Sequence, residues 1–419
     1  MERKLQKVTL DNRLRILLER DEKMRSCSLG VWIASGSGYE NAASMGHSHF
    51  MEHMLFKGTP TRSAQDIAEQ MDAIGGVLNA YTAKEYTCIY ARALSDHVDK
   101  AFSVIADMVT NPRLCETDIE TEKGIIAEEI AMYEDSPEDL CMDLFYEHVW
   151  PDSAFGRNIL GTRTSVAATR LDSLCTHLQR YYRPSRMVVS FCGNFDTDRA
   201  LALCEEYFGT VQDAPDELCP AEIRYQPAVH LLEKDIEQNQ VILGFPGVSA
   251  DDERKYAVQL FSTLLGGASS SRLFRRIREE LGLVYSIDSF HVPHLTGGLF
   301  GIAMGVSPDA QEQALAESCK ILQSFNAGVS EDELARAKEQ AIAGMIMSFE
   351  SSAARVSHAG RSELLHGRIH SEDEIIANIR AVTLDELRDT AALVTDPAQA
   401  SFCVVGQELR DENFYRSLF

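Results

Sequence analysis

The stretch GHSHFMEHMLFKG, from Gly46 to Gly58, restricts the fold more than any other part of the chain. It places His49, Glu52 and His53 among Phe50, Met51, Met54 and Leu55. Residues three and four apart share one face of a helix, so two imidazoles and a carboxylate project together. The apolar neighbours leave that helix little face for water, and buried imidazoles or carboxylates are costly without partners. Any fold the chain adopts must therefore bring another polar segment against this face. Two neutral histidines and a carboxylate suit zinc, and a further carboxylate can stand by as a general base. His47 lies one residue off the face and reads as a bystander.

A zinc site of this kind needs a third ligand from elsewhere in the chain. The stretch TDIETEKGIIAEEIAMYEDS offers one. Thr117 and Glu120 have the spacing of a helical capping box. Ile119, Glu122, Ile126, Glu129 and Tyr133 then follow 3-4-3-4 spacing, one face of a helix. Two glutamates thus stand on a face otherwise marked as inward, while Glu120, Lys123 and Glu128 point elsewhere. Spacing alone does not say whether Glu122 or Glu129 coordinates.

The rest of the chain sets the frame. Its 419 residues exceed one ordinary core, and 45% apolar with 25% charged residues describes a globular protein. A net charge of −24 argues against nucleic acid and anionic membrane as partners. The opening segment has no apolar signal region, no long apolar run follows, and the ten cysteines are scattered. These features lead us to expect a cytoplasmic protein with reduced thiols and no membrane span.

The pattern order repeats. A hairpin (KVTL, a turn at Asp11-Asn12, RLRILLE) precedes the strand CSLGVWIASG, a helix from about Ser44 to Phe56, the helix SAQDIAEQMDAIGG and the hairpin VLNAYTAKEYTCIYARAL. Helical patterns follow near 96–109 and 117–134, then a helix opened by Ser136-Pro137, then the strand RMVVSFCGNF. From QNQVILGFPGV onward a similar order returns, with helices near 252–265 and 270–280 and the strands LGLVYSIDSF and GGLFGIAMGV. The expected fold class is α+β, two duplicated α/β halves that enclose a cleft. Each half has a mixed, largely antiparallel sheet flanked by helices. The first half is expected over 1–213, a proline-rich linker over 214–228 and the second half over 229–419. The counterpart of the histidine cluster in the second half, TLLGGASSSRLF, carries no ligands, and it lacks the Gly-Lys-Ser/Thr ending of a phosphate loop.

His49-Phe-Met-Glu52-His53 is the inverted zinc signature, in which the glutamate precedes the second histidine. Together SHFMEHMLFKGT, LNAYTAKEYT and EKGIIAEEIAMYEDSPED resemble the M16 metallopeptidases: pitrilysin, insulin-degrading enzyme and the mitochondrial processing peptidase. The size and SSRLFRRIREELGLVYSI resemble the short, single-chain bacterial members. This resemblance implies one zinc ion per chain on His49, His53 and Glu129, with Glu122 orienting the site and Glu52 as general base. It also implies an endopeptidase acting on peptides or unfolded segments, and a homodimer. The match to Arg278 and Tyr285 implies that the zinc-free half helps hold the peptide. Asn79 and Ala80 match the edge strand along which substrate pairs. On the residues alone, Arg278 also reads as surface charge, Tyr285 as a strand core residue and Asn79 as a turn residue. Two other readings are a non-catalytic scaffold subunit and a zinc amidase acting on small molecules.

Overall fold

Hairpins and short helices with opposed apolar faces must pair sheet against helix, and in this chain they do so twice. The structure is a computed structural model that describes residues 5–214 and 219–419. Residues 215–218 of the expected linker lie outside the described residues. Two compact units result. The first comprises Met1–Ile130, Asn158–Cys219 and Met347–His370; the second comprises Ala131–Arg157, Pro220–Ile346 and Ser371–Phe419. Each unit therefore contains one segment from the other half of the sequence.

The first unit holds six strands: β1 (Leu5–Thr9), β2 (Arg15–Arg20), β3 (Ser26–Ile33), β4 (Val77–Thr82), β5 (Thr87–Leu94) and β6 (Met187–Gly193). Their order is β1-β2-β6-β3-β5-β4. Only the β2–β6 pair is parallel. The expected amino-terminal hairpin is present, with Arg13 at a positive φ of 74° in its connection. One face of the sheet carries helices α1 (His47–Leu55), α2 (Ala64–Asp72) and α3 (Val98–Thr110). Helix α4 (Glu116–Asp135) follows α3.

The helix Ser352–His366 lies on the other face of this sheet, against β3 and β6. Gly360 permits the contact: a Cβ there would stand 2.5 Å from the Trp32 ring. Buried ion pairs fix the same helix. Glu363, 2% exposed, meets Lys7 at 2.5 Å and Arg15 at 3.6 Å, and buried Arg355 meets Glu19 at 3.0 Å. Leaving buried Glu363 or Arg355 with no partner would cost several kcal/mol, about 3–5.

The second unit holds β7 (Val229–Glu233), β8 (Asn239–Gly247), β9 (Val284–His294), β10 (Gly297–Val306) and β11 (Ser401–Gly406). Their order is β7-β11-β8-β10-β9, with only β7–β11 parallel. Helix α5 (Pro137–Val149) packs on β7, β8 and β11, and begins after Ser136 as the sequence indicates. Phe145, Cys141 and Val149 form a core there with Ile242, Leu299 and Val405. The opposite face is covered by Lys255–Leu265 and Gln311–Gly328. The architecture is thus mixed α/β, two largely antiparallel sheets flanked by helices.

Two local expectations are corrected. Ser44 does not cap α1. The cap is Gly46, whose left-handed φ of 86° brings the chain so near Leu160 that a Cβ would meet its carbonyl oxygen at 2.6 Å. The helix amides are capped instead by the buried Glu40 carboxylate, which accepts from the Gly46 and Ser48 N–H groups at 2.7 Å each. A carboxylate is favoured at that end by the helix dipole. Thr117 does not open a capping box either. Helix α4 begins at Glu116, so Thr117 lies inside it, and Glu120 pairs with Lys123 at 2.6 Å.

Candidate metal centre

Helix α1 buries Phe50, Met51, Met54 and Leu55 completely. That orientation leaves His49, Glu52 and His53 on the face it turns toward α4 and β4. The rings of His49 and His53 have centroids 4.7 Å apart. Helix α4 buries Ile119, Glu122 and Ile126 of the expected inward face, and Ile130 beside them, while Glu129 and Tyr133 of that face are half-buried. It brings Glu129 against both rings: Glu129 Oε2 is 3.6 Å from His49 Nε2 and 3.5 Å from His53 Nε2.

The ligand atoms of His49, His53 and Glu129 all lie within 4.8 Å of one another, and they form the metal-competent cluster among the described residues. Donors at about 2.0–2.1 Å around a tetrahedral ion stand roughly 3.4 Å from each other. The two carboxylate-to-imidazole distances of 3.5 and 3.6 Å therefore fit that spacing, and two imidazoles with one carboxylate fit zinc in chemistry.

Glu122, which spacing left equivalent to Glu129, has different surroundings. It is 2% exposed, and its Oε2 stands 2.8 Å from His53 Nδ1. Its Oε1 is ion-paired with Lys57. With Nδ1–H donated to Glu122, His53 can present its Nε2 lone pair to a metal ion. Lys57 balances the buried carboxylate, which would otherwise be an uncompensated charge.

Glu52 stays out of the donor cluster. Its Oε2 accepts from the Thr82 hydroxyl at 2.5 Å, at the end of β4. Burial raises the proton affinity of Glu52, against the opposing hydrogen bond from Thr82. Burial also pushes His49 down to about 4, aided by its neighbour His53. Burial acts downward on His53 too, but the carboxylates of Glu129 and Glu122 outweigh it and the net shift is upward. The hydrogen bond from His53 holds Glu129 below the ordinary carboxylate range. His47 takes no part; it is buried, with its ring centroid 6.1 Å from that of His177.

Asn79 and Ala80 sit in β4, the last strand of its sheet. Asn79 is a strand residue, exposed, and its side-chain oxygen accepts from the Ala80 N–H at 2.8 Å. In the second unit, Arg278 lies on a wide π-helical turn, Phe274–Glu280, and Tyr285 on β9. The Arg278 guanidinium stacks 4.6 Å from the Phe274 ring centre and 5.7 Å from that of Tyr285. Tyr285 is 74% exposed, so it is not a strand core residue. Sequence reasoning missed Thr82, Lys57 and Glu40. For Thr82 a signal existed: it shares the face of Ala80, two residues away on the pleat. For Lys57 the signal was its position four residues after His53, one turn further along the helix direction.

Two family models match the chain: Insulinase (Peptidase family M16) over residues 15–163, and the Peptidase M16 inactive domain over residues 169–341. A Bacillus subtilis protein named Uncharacterized zinc protease YmxG is 37% identical over 388 residues, 92% of this chain and 95% of its own length. The chain belongs to peptidase family M16. An uncharacterized zinc protease of Streptomyces coelicolor is 38% identical over 422 residues, covering 98% of this chain and 91% of its own. The fold is similar to that of a Helicobacter pylori protease, with a TM-score of 0.89 at 19% identity over 96% of this chain and 99% of the other. A Pseudomonas fluorescens structure described as a peptidase M16 inactive domain gives 0.90 at 18% identity over 98% and 99%. Within the M16 frame, the match to the first model contains His49, Glu52, His53, Glu122 and Glu129. The match to the inactive domain contains Arg278 and Tyr285.

Proposed function

We propose that this chain is a zinc-dependent endopeptidase that hydrolyses peptides or unfolded segments. The observation that carries the reading is the division of labour around α1. Three donor atoms converge from His49, His53 and Glu129, while Glu52 on the same face is held apart by Thr82. We assign one zinc ion per chain to the three converging donors. Zinc bound there supplies a Lewis acid and makes water nucleophilic near neutral pH. Glu122 orients His53, and Lys57 holds Glu122. Glu52, anchored through Oε2, has Oε1 left to take a proton from the attacking water and return it to the leaving amine.

The edge of β4 at Asn79 and Ala80 is proposed to pair with the peptide as an added strand. Arg278 and Tyr285 are proposed to bind peptide carbonyls; the stacked guanidinium and the exposed hydroxyl are both donors. Tyr285 is also a candidate donor to the developing oxyanion. A cytoplasmic homodimer belongs to the same reading, supported by the family resemblance and by ten unpaired cysteines. The test is cleavage of an internally quenched peptide by wild type and by Glu52→Gln, with metal content measured on both. The variant should keep its zinc and lose at least about a thousandfold in rate. Undiminished cleavage by the zinc-loaded variant would contradict the mechanism.

A further inference from the structure

The pleat of β4 divides its side chains between two faces. Thr82 and Ala80 point toward α1, where Thr82 meets Glu52. Val77, Asn79 and Tyr81 fall on the opposite face and are exposed, Val77 at 59% and Tyr81 at 37%. That face borders a cavity of about 380 Å³. Its walls are Trp32 of β3, Cys88 and Tyr90 of β5, Tyr81 of β4, and Ala353 and Val356 of the helix Ser352–His366. The second unit has a cavity in the equivalent place, between its edge hairpin and α5. That one is about 140 Å³, and its lining, which includes Glu138, Asp139 and Asp288 beside Met142, Ile242 and Met304, has no aromatic side chain. The shared architecture therefore does not dictate an aromatic lining; the first unit's side chains create it.

We propose that the 380 Å³ cavity is a specificity subsite for one large uncharged side chain, aromatic or long aliphatic, of the bound peptide. The inference rests on the peptidase reading and on pairing of the peptide with β4. A strand added to β4 alternates its own side chains, so every second one is delivered to the face away from the metal donors. There it meets Val77, Tyr81 and the cavity they border. The volume falls within the range of small-molecule side-chain and ligand pockets, roughly 300–1,000 Å³. Arg92, register partner of Val77, stands at the cavity and disfavours a basic occupant.

The test uses the full zinc-loaded chain and internally quenched peptides that carry Phe, Ala or Lys at successive positions around the cut. Wild type should prefer Phe over Ala by about tenfold to a hundredfold in kcat/KM at one position, and disfavour Lys there. Ala353→Trp, at an exposed helical position, fills the cavity without touching the donors or Glu52. It should bring the Phe/Ala ratio close to one while leaving cleavage of the Ala peptide intact. Ser357→Trp fills the same cavity from the next turn and repeats the test should Ala353→Trp melt early. An unchanged Phe/Ala ratio in the folded variants, or no such preference in wild type, overturns the subsite and leaves the peptidase reading standing. A wild type that cleaves none of the peptides overturns the peptidase reading itself, and the subsite with it.

Discussion

The two units are built to one plan and differ most where the first is polar inside. In the first, α1 follows β3 and α4 follows α3; in the second, Lys255–Leu265 follows β8 and Glu331–Ser348 follows Gln311–Gly328. Lys255–Leu265 buries Ala257, Val258, Leu260, Phe261 and Leu265, while α1 buries His49 among its methionines. Glu331–Ser348 buries Leu334, Ala337 and Ile342, while α4 buries Ile119, Glu122, Ile126 and Ile130. The second unit shows that this architecture folds with only apolar residues buried on the counterparts of α1 and α4. The buried histidine and glutamate of the first unit are thus not needed for the fold. They cost stability, and the chemistry of the donor set accounts for them.

That difference can be erased by mutation. The double variant Lys57→Met with Glu122→Leu gives α4 an apolar inward face like its counterpart. His53 Nδ1 then loses its acceptor, and zinc affinity should fall roughly 10- to 100-fold, measured by competition with a chromophoric chelator. In metal-free protein the same change should leave stability equal or higher by about 1–4 kcal/mol, measured by urea unfolding. Glu122→Leu alone should be clearly less stable, because Lys57 then faces an apolar neighbour. If the double variant bound zinc as tightly as wild type, Glu122 would have no part in orienting the donors.

A smaller effect is expected at Thr82. Thr82→Val keeps the strand and its shape but removes the hydroxyl that holds Glu52 Oε2. The expected loss is about tenfold in kcat with zinc content unchanged. An unaltered kcat would show that Glu52 is positioned without it.

The mildest prediction concerns His177, fully buried beside α1 with its Nε2 3.0 Å from the Ser35 hydroxyl. Burial, then the neighbours His47 and Arg180, lower it to about 3. The unfolded chain takes up this proton as pH falls below the ordinary histidine value near 6.5, whereas the folded chain resists until about 3. The neutral ring therefore favours the folded state at neutral pH, and that contribution is lost as pH falls from 6.5 toward 3. His177→Asn should flatten the decline in melting temperature between pH 7 and pH 5; an identical decline would locate the titration elsewhere.

The cluster of candidate donors was legible because helical spacing is a local property. His49, Glu52 and His53 lie within five consecutive residues, and one helix fixes their relation. Ile119, Glu122, Ile126 and Glu129 are legible in the same way. What spacing left open was which glutamate meets the two Nε2 atoms, because that depends on how far α4 is displaced along α1. The partners of these residues come from distant segments. Thr82 reaches Glu52 only because β4 packs beside α1, and Glu40 caps α1 only because of the left-handed turn at Gly46. The course of the covering helices was equally hidden. Cys141, Phe145 and Val149 announce an apolar face on α5, as Val356 and Ala359 do on Ser352–His366. An apolar face does not say which sheet it will cover.

The account turns on whether the buried polar residues of the first unit exist to hold a metal. Elemental analysis of the purified chain, paired with peptide cleavage on the same samples, tests this most directly. Wild type should carry one zinc per chain and cleave. Glu129→Gln and His53→Leu should lose both zinc and cleavage while remaining folded. Stoichiometric zinc and full cleavage retained in those variants would contradict the account.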